Sequence, residues 1–261
     1  LITSTHNRKV REIRQLQAQT KARRKASAFV VEGVRLCEEA VIADWEIQYC
    51  LYAPDLPPRA QTLIESLQEK GVSIDQAADN VIKAASDTQT PQGILMVITE
   101  TPLPMPENPG FVLILDKLQD PGNQGTLLRT AAAAGADLVL IAEGSADVFS
   151  PKVLRSGMGA QFRLPIRVWS EYEIIAYCRQ NRVNMWAAIL DEGPPYTQAE
   201  LSIPSAVIIG SEAHGVSPDL RQAAQPLHIP MPGSVESLNA AAAGAILIYE
   251  VLRQKTPHNP Q

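Results

Sequence analysis

Two spacings of apolar residues alternate along the chain. Val10, Ile13 and Leu16 recur at helical intervals inside an otherwise polar segment, residues 29–31 read as a strand, and 34–42 is helical again. Residues 47–53 are strand-like, 60–70 helical with Gly71 as the stop, 72–74 a short strand, and 94–98 closes this part with another strand. Residues 101–110 then hold four prolines in ten positions and support neither a helix nor a central strand, which marks a linker. Beyond it, short unbroken apolar runs fall at 111–115, 138–141, 165–168, 184–189, 206–209 and 227–229. The clearest helical stretches between and after them are 126–134, 171–181 and the alanine-rich 238–253. Apolar runs without alternation belong to strands covered on both faces, and strands alternating with helices build a mostly parallel sheet. The expected organisation is a small α/β domain at 1–100, a linker at 101–110, a parallel-sheet α/β domain at 111–255, and a short frayed tail at 256–261.

At 261 residues and 45% hydrophobic content the chain has ample material for buried cores. No apolar stretch approaches the roughly 20 residues of a membrane helix, and the first residues turn charged at once, so a cytoplasmic protein without a membrane partner is the expectation. Cys37, Cys50 and Cys178 are too few and too scattered for a disulfide framework or a zinc pattern, and the four histidines fall in no ligand spacing, so no metal is expected. A net charge of −5 argues against a polyanionic partner, but its distribution argues the other way. Residues 1–35 carry nine basic side chains, among them Arg8, Arg11, Arg23, Arg24 and Lys25, against the two acids Glu12 and Glu32. Such a patch can engage phosphates whatever the total charge; taken alone, it reads first as a solvated helix face followed by a basic loop.

Three blocks combine glycine, asparagine and charge directly after strands, where open α/β sheets bind ligands. The first is Asn123 and Gly125 with Arg129 following, at the start of a helix whose amino end favours an anion, with Asn123 as its cap. The second runs from Gly210 through Glu212 and His214 to Gly215; its glycines let backbone approach a flat ligand, although a plain strand-to-helix turn would look the same. Its spacing is neither the dinucleotide fingerprint nor a phosphate-binding loop. The third passes from Ile229, Pro230 and Met231 to Ser237, Leu238 and Asn239. Ser237 explains itself as a helix cap, whereas Asn239 gains nothing over the alanines beside it unless its side chain serves a ligand or partner.

In content and order these blocks resemble the SpoU-type branch of the SPOUT superfamily, RNA ribose 2′-O-methyltransferases that use S-adenosylmethionine. The likeness extends to Tyr249 and Glu250 at the end of the last helix, to the basic segment from Ser150 through Lys152 to Arg155, and to residues 29–33 in the first domain, covering nearly the whole chain. Ala241 and Gly157 depart from the family's usual serines.

The resemblance implies a parallel α/β domain tied in a deep trefoil knot, preceded by an RNA-binding domain, and a homodimer formed through the methyltransferase domain with active sites that draw on both subunits. It implies cofactor contacts from Gly210, Ile229, Met231 and Leu238, and catalytic roles for Arg129, Glu212, Asn239 and Asn123. In the family scheme the residue matching Arg129 activates the hydroxyl. A guanidinium pKa above about 12 favours a different role, clamping phosphate and stabilising the developing alkoxide while Glu212 and Asn239 orient it. Lys152, Arg155 and the basic residues Arg8, Arg11, Arg23, Arg24 and Lys25 would hold RNA backbone, ribosomal RNA being the leading substrate. The alternatives are a tRNA methyltransferase of the same fold, a catalytically silent RNA-binding or assembly factor, and a generic nucleotide-binding α/β enzyme.

Overall fold

A computed structural model describes residues 1–202, 204–234 and 236–255; the tail expected at 256–261 lies outside the described residues. The chain forms two compact units, one comprising Leu1–Thr101 with Phe149–Phe162, the other Pro102–Val148 with Arg163–Gln261.

The first unit runs α1 (Arg8–Ala18), α2 (Thr20–Ala26), β1 (Ala28–Glu32), α3 (Val34–Ile42), β2 (Ile47–Tyr52), α4 (Pro58–Glu69), β3 (Ile74–Gln76), α5 (Asp79–Ala85) and β4 (Ile94–Thr99). Its sheet has the order β1-β4-β2-β3, with β4 antiparallel to both neighbours and β2 parallel to β3. Asn7 caps α1 by accepting from the Lys9 N–H at 2.9 Å, and Val10, Ile13 and Leu16 bury the stripe that the sequence spacing predicts.

The second unit holds β5 (Phe111–Leu115), α6 (Pro121–Ala133) and β6 (Leu138–Ala142); after the excursion carrying α7 (Pro151–Gly157) come β7 (Ile166–Trp169), α8 (Glu171–Gln180), β8 (Asn184–Ala188), β9 (Ser205–Ile209), α9 (Pro218–Ala223), β10 (Gln225–Leu227) and α10 (Ala240–Lys255). All six strands are parallel, in the order β10-β8-β9-β5-β6-β7. Every residue of β5, β6 and β9 is buried, as strands covered on both faces must be. On one face Val112, Ile114, Leu138, Leu140 and Ile208 pack with Ile174 and Cys178 of α8 and Leu220 of α9. On the other, α6 packs against α10; a Cβ on Gly244 of α10 would stand 2.2 Å from Leu127 Cδ2 and 3.4 Å from Ile209 Cγ1. From β5 the chain steps outward through β6 and β7, while β9, β8 and β10 lie on the other side, so strand order reverses at the β5/β9 seam. The crevice beyond that seam, at the carboxyl ends of the strands, is where such sheets bind ligands.

The excursion Phe149–Phe162 falls inside the segment expected to belong wholly to the parallel-sheet domain, yet its packing is with the first unit. Four aromatic rings account for this. Phe149 stacks on Phe29 of β1 with centroids 4.4 Å apart, Phe162 meets Trp45 edge-on at 5.4 Å, and the Trp45 indole N–H donates to the Phe162 carbonyl at 3.1 Å.

Candidate active site

Loops at the carboxyl edge of the six-stranded sheet enclose a cavity of about 510 Å3. Ile189 and Leu190 follow β8, Gly210 to Gly215 follow β9, His228, Ile229 and Met231 follow β10, and Ser237 to Ala240 lead into α10. The cofactor contacts expected from sequence, Gly210, Ile229, Met231 and Leu238, therefore all line one space.

The loop after β9 closes on itself. Ser211 N–H donates to the Gly215 carbonyl at 3.0 Å and Gly215 N–H returns to Ser211 at 2.9 Å. A Cβ on Gly210 would lie 2.2 Å from the Gly215 carbonyl carbon, so only glycine lets the strand enter this turn. Glu212 is presented at the exposed apex.

Three residues far apart in sequence meet beside it. Asn239 Oδ1 accepts from Ala241 N–H at 2.9 Å and Ala242 N–H at 3.2 Å, and its Nδ2 donates to Asn123 Oδ1 at 3.0 Å. Asn123 Nδ2 in turn donates to Glu212 Oε1 at 2.6 Å. Both amides have fixed orientations, because one end of the chain is a helix amino terminus that only donates and the other a carboxylate that accepts.

Two capping assignments from sequence need correction. Asn123 does not cap α6; Asp120 does, its Oδ1 accepting Asn123 N–H at 2.7 Å, with Pro121 at the first helical position. Helix α6 thus begins five residues before the expected 126, and the Asn123 side chain is left for Glu212. Likewise Asn239, not Ser237, caps α10, so the asparagine both starts the helix and reaches the site.

Arg129 lies on the exposed face of α6 and does not line the cavity. Among the described residues no group of histidine, cysteine, aspartate and glutamate could hold a metal ion. Sequence reasoning missed Asp120, which the aspartate–proline pair at a helix start would have revealed. It also missed Asp116, fully buried at the end of β5, whose carboxyl burial pushes above the usual carboxylate range against the hydrogen bond from the Ser217 amide.

The expected RNA-facing cations divide. Arg8, Arg11, Arg24, Lys25 and Lys152 are exposed. Arg155 pairs with Asp87 at 2.8 Å and is partly buried. Arg23 is a correction: at 4% exposure its guanidinium is internal, donating to the carbonyls of Leu16 and Gln17 at the end of α1 and to Thr20 Oγ1 at 3.1 Å. It serves as a cap for the last turn of α1 and is unavailable to phosphate.

The fold and the joined loops define a class. Residues 110–249 match the SpoU rRNA Methylase family, and the chain belongs to it. Residues 7–96 match the MRM3-like substrate binding domain. The chain is 34% identical to the 23S rRNA (guanosine(2553)-2′-O)-methyltransferase RlmP of Bacillus subtilis (strain 168), over 96% of this chain and 98% of that protein. It is similar to the crystal structure of an AdoMet-bound rRNA methyltransferase from Sinorhizobium meliloti, with a TM-score of 0.87, 28% identity and 98% of each chain covered. It is also similar to the SpoU methyltransferase AviRb from Streptomyces viridochromogenes in complex with AdoMet, with a TM-score of 0.86, 27% identity, and 95% of this chain and 98% of that one covered.

Proposed function

We infer that this protein is an S-adenosylmethionine-dependent methyltransferase that modifies a ribose 2′-hydroxyl in ribosomal RNA. The observation that carries the reading is the Asn123–Glu212–Asn239 network on the wall of a cavity built from three strand-end loops. The cavity suits the cofactor. Its volume of about 510 Å3 falls in the range of small-molecule sites, roughly 300–1,000 Å3. Ile189, Leu190, Ile229, Met231 and Leu238 supply apolar wall, and the Gly210 turn admits close approach of backbone to a flat ring. When bound, S-adenosylmethionine supplies an electrophilic methyl group.

The protein's own residues orient the acceptor and manage its charge. Glu212, fixed by Asn123 on one oxygen, holds a negative charge beside the cavity, where it positions a guanidinium or a nucleotide amino group. As the O–methyl bond forms, the hydroxyl proton passes to solvent water, and Arg129 stabilises the negative charge developing on that oxygen and clamps the neighbouring phosphate. Because Arg129 lies outside the cavity of its own chain, the reading includes a homodimer through the second unit, in which Arg129 reaches the site of the partner. It also includes a deep knot through the β9 and β10 loops, as the family resemblance implies.

The first unit holds the RNA. Arg8, Arg11, Arg24, Lys25, Lys152 and Arg155 contribute backbone contacts, and α7 brings the last two into that unit. The domain boundaries follow as 1–100 for RNA binding, 101–110 as linker and 111–255 for methyl transfer, with α7 lent to the first. Three free buried thiols suit a reducing compartment, the cytoplasm. No described helix is long and apolar enough to cross a membrane.

The test is transfer of labelled methyl from S-adenosylmethionine to unmodified ribosomal RNA, with the ribose position mapped and Arg129→Ala as control. Transfer to transfer RNA alone would move the substrate; cofactor binding with no transfer to either RNA would end the enzyme reading.

A further inference from the structure

One residue closes both roots of the Glu212 hairpin. Asp116 follows the last residue of β5, and its N–H donates to the Ile209 carbonyl at 2.9 Å, extending the β5/β9 ladder to the residue before Gly210. Its Oδ2 accepts from Ser217 N–H at 2.6 Å, just beyond the other end of the hairpin. The carboxyl is fully buried; among the described residues Oδ1 has no hydrogen-bond partner, and the Ser217 hydroxyl beside it has none of good geometry. A carboxylate with an orphaned oxygen in a core is expensive, and apolar residues of similar size would pack this seam more cheaply. Such a group at this seam asks for a role that packing alone does not supply.

Geometry supplies one. The main chain of Asp116 fixes where the loop leaves the sheet and its side chain fixes where the loop returns, across residues 210–216. The same strand end leads, four residues later, into Asp120, whose carboxylate sets Asn123 for its bond to Glu212. Positions of Gly210, Ser211, Glu212 and Gly215, all of which line the cavity, thus depend on one acceptor at the β5/β9 seam. We propose that Asp116 is a positioning residue for methyl transfer, holding the Glu212 hairpin against the cofactor cavity through its bond to the Ser217 amide. The proposal rests on the reading of the cavity as a cofactor site and assigns Asp116 no contact with the reacting groups.

The experiment compares Asp116→Asn with Asp116→Ala by S-adenosylmethionine binding, methyl transfer and thermal unfolding. The asparagine keeps an acceptor for Ser217 N–H and restores near-normal cofactor affinity, within about threefold; the alanine loses about tenfold or more, the worth of one buried hydrogen bond to a charged group. KM for RNA stays unchanged, since the first unit holds RNA. Adding Asp116→Ala to Glu212→Gln costs little further in kcat, because both act through the same hairpin. Equal loss in the asparagine and alanine variants, a fully additive double variant, or a folded alanine variant with normal affinity would each overturn the proposal. If the alanine variant does not fold, amide exchange in the wild-type protein decides: the Ser217 amide exchanges as slowly as the β9 amides, and exchange at the rate of an open loop refutes the latch. Failure of the wild-type protein to bind S-adenosylmethionine would instead remove the cofactor reading itself.

Discussion

Asn123 and Glu212, 89 positions apart, are joined at 2.6 Å with the amide nitrogen donating and the carboxylate accepting. Since Asn123 Oδ1 is already taken by Asn239, the amide cannot turn over without breaking two bonds. Asn123→Asp replaces that donor with an acceptor and sets two carboxylates against each other. Methyl transfer falls about tenfold to a hundredfold, the scale of a lost charge-assisted hydrogen bond. The fold persists, because Asp120 rather than residue 123 caps α6. Kinetics alongside circular dichroism check both halves; normal activity in the aspartate variant would remove Asn123 from the catalytic set.

Arg23 and its neighbours Arg24 and Lys25 separate two kinds of basic residue. Arg23→Ala uncaps α1 and leaves the Leu16 and Gln17 carbonyls without their donor, so the protein loses about 1–3 kcal/mol of stability, as buried polar groups do when a partner is removed. The double change Arg24→Ala with Lys25→Ala leaves thermal unfolding in place and flattens the salt dependence of RNA binding by nearly two in log–log slope. Denaturant unfolding and RNA binding across a salt series measure the two effects. An unchanged slope returns those exposed cations to the role of a solvated face.

That contrast shows what the sequence makes legible. Counting charges treats every cation as solvent-facing, whereas Arg23 is buried by the turn from α1 into α2, which residue spacing does not reveal. Buried strands β5, β6 and β9 stand out because each carries an unbroken apolar run of four or five residues, too short for a buried helix and too apolar for a loop. The edge strand β10 is harder. It spans Gln225–Leu227 and, among the described residues, pairs only with β8, so the apolar run at 227–229 marks its end, and Ile229 falls in the loop. Helix starts fail for a related reason: the apolar period of α6 begins at Leu127, and its first turn buries no large apolar side chain to announce it. The candidate site is readable as three motifs, and the four residues expected from them to contact a cofactor line one cavity. The pairing of β5 with β9 that brings Asn123 to Glu212 is a long-range choice, and Asp116 acts only once it is made, whereas Asp120 caps its helix locally.

Glu250 steadies Gln254, which ties the last helix to the loop before β9. It is 6% exposed and accepts from Arg253 at 2.8 and 2.6 Å and from Gln254 at 2.8 Å, while Gln254 also bonds the Ala199 carbonyl and the Leu201 amide. Hydrogen bonds from Arg253 hold its carboxyl below the ordinary glutamate range, against burial. A depressed pKa in the folded state contributes stability that is present above the unfolded value and is lost as pH falls through the folded one. Wild-type protein is therefore more heat-stable than Glu250→Gln at neutral pH, and the gap narrows as pH falls below about 4.5. Melting curves at neutral and acid pH check this, and a gap independent of pH would assign the effect to packing.

Arg129 allows a test that depends on subunit geometry alone. It is exposed on α6 while Asn239 lines the cavity, and the proposed dimer joins the Arg129 of one subunit to the Asn239 of the other. Arg129→Ala and Asn239→Ala homodimers are each inactive, since every site in them lacks one partner. When the two are unfolded together and refolded in equal amounts, half the dimers are mixed. Each mixed dimer has one site with both residues intact and one with neither. Activity then returns to about a quarter of the wild-type value, the fraction that random assembly of twofold dimers allows. If both residues serve the same chain's site, no mixed dimer contains an intact site and activity stays at the level of the separate variants. Measured methyl transfer after co-refolding distinguishes the two arrangements, and recovery near zero from well-folded mixed dimers would place Arg129 and Asn239 in one subunit's site.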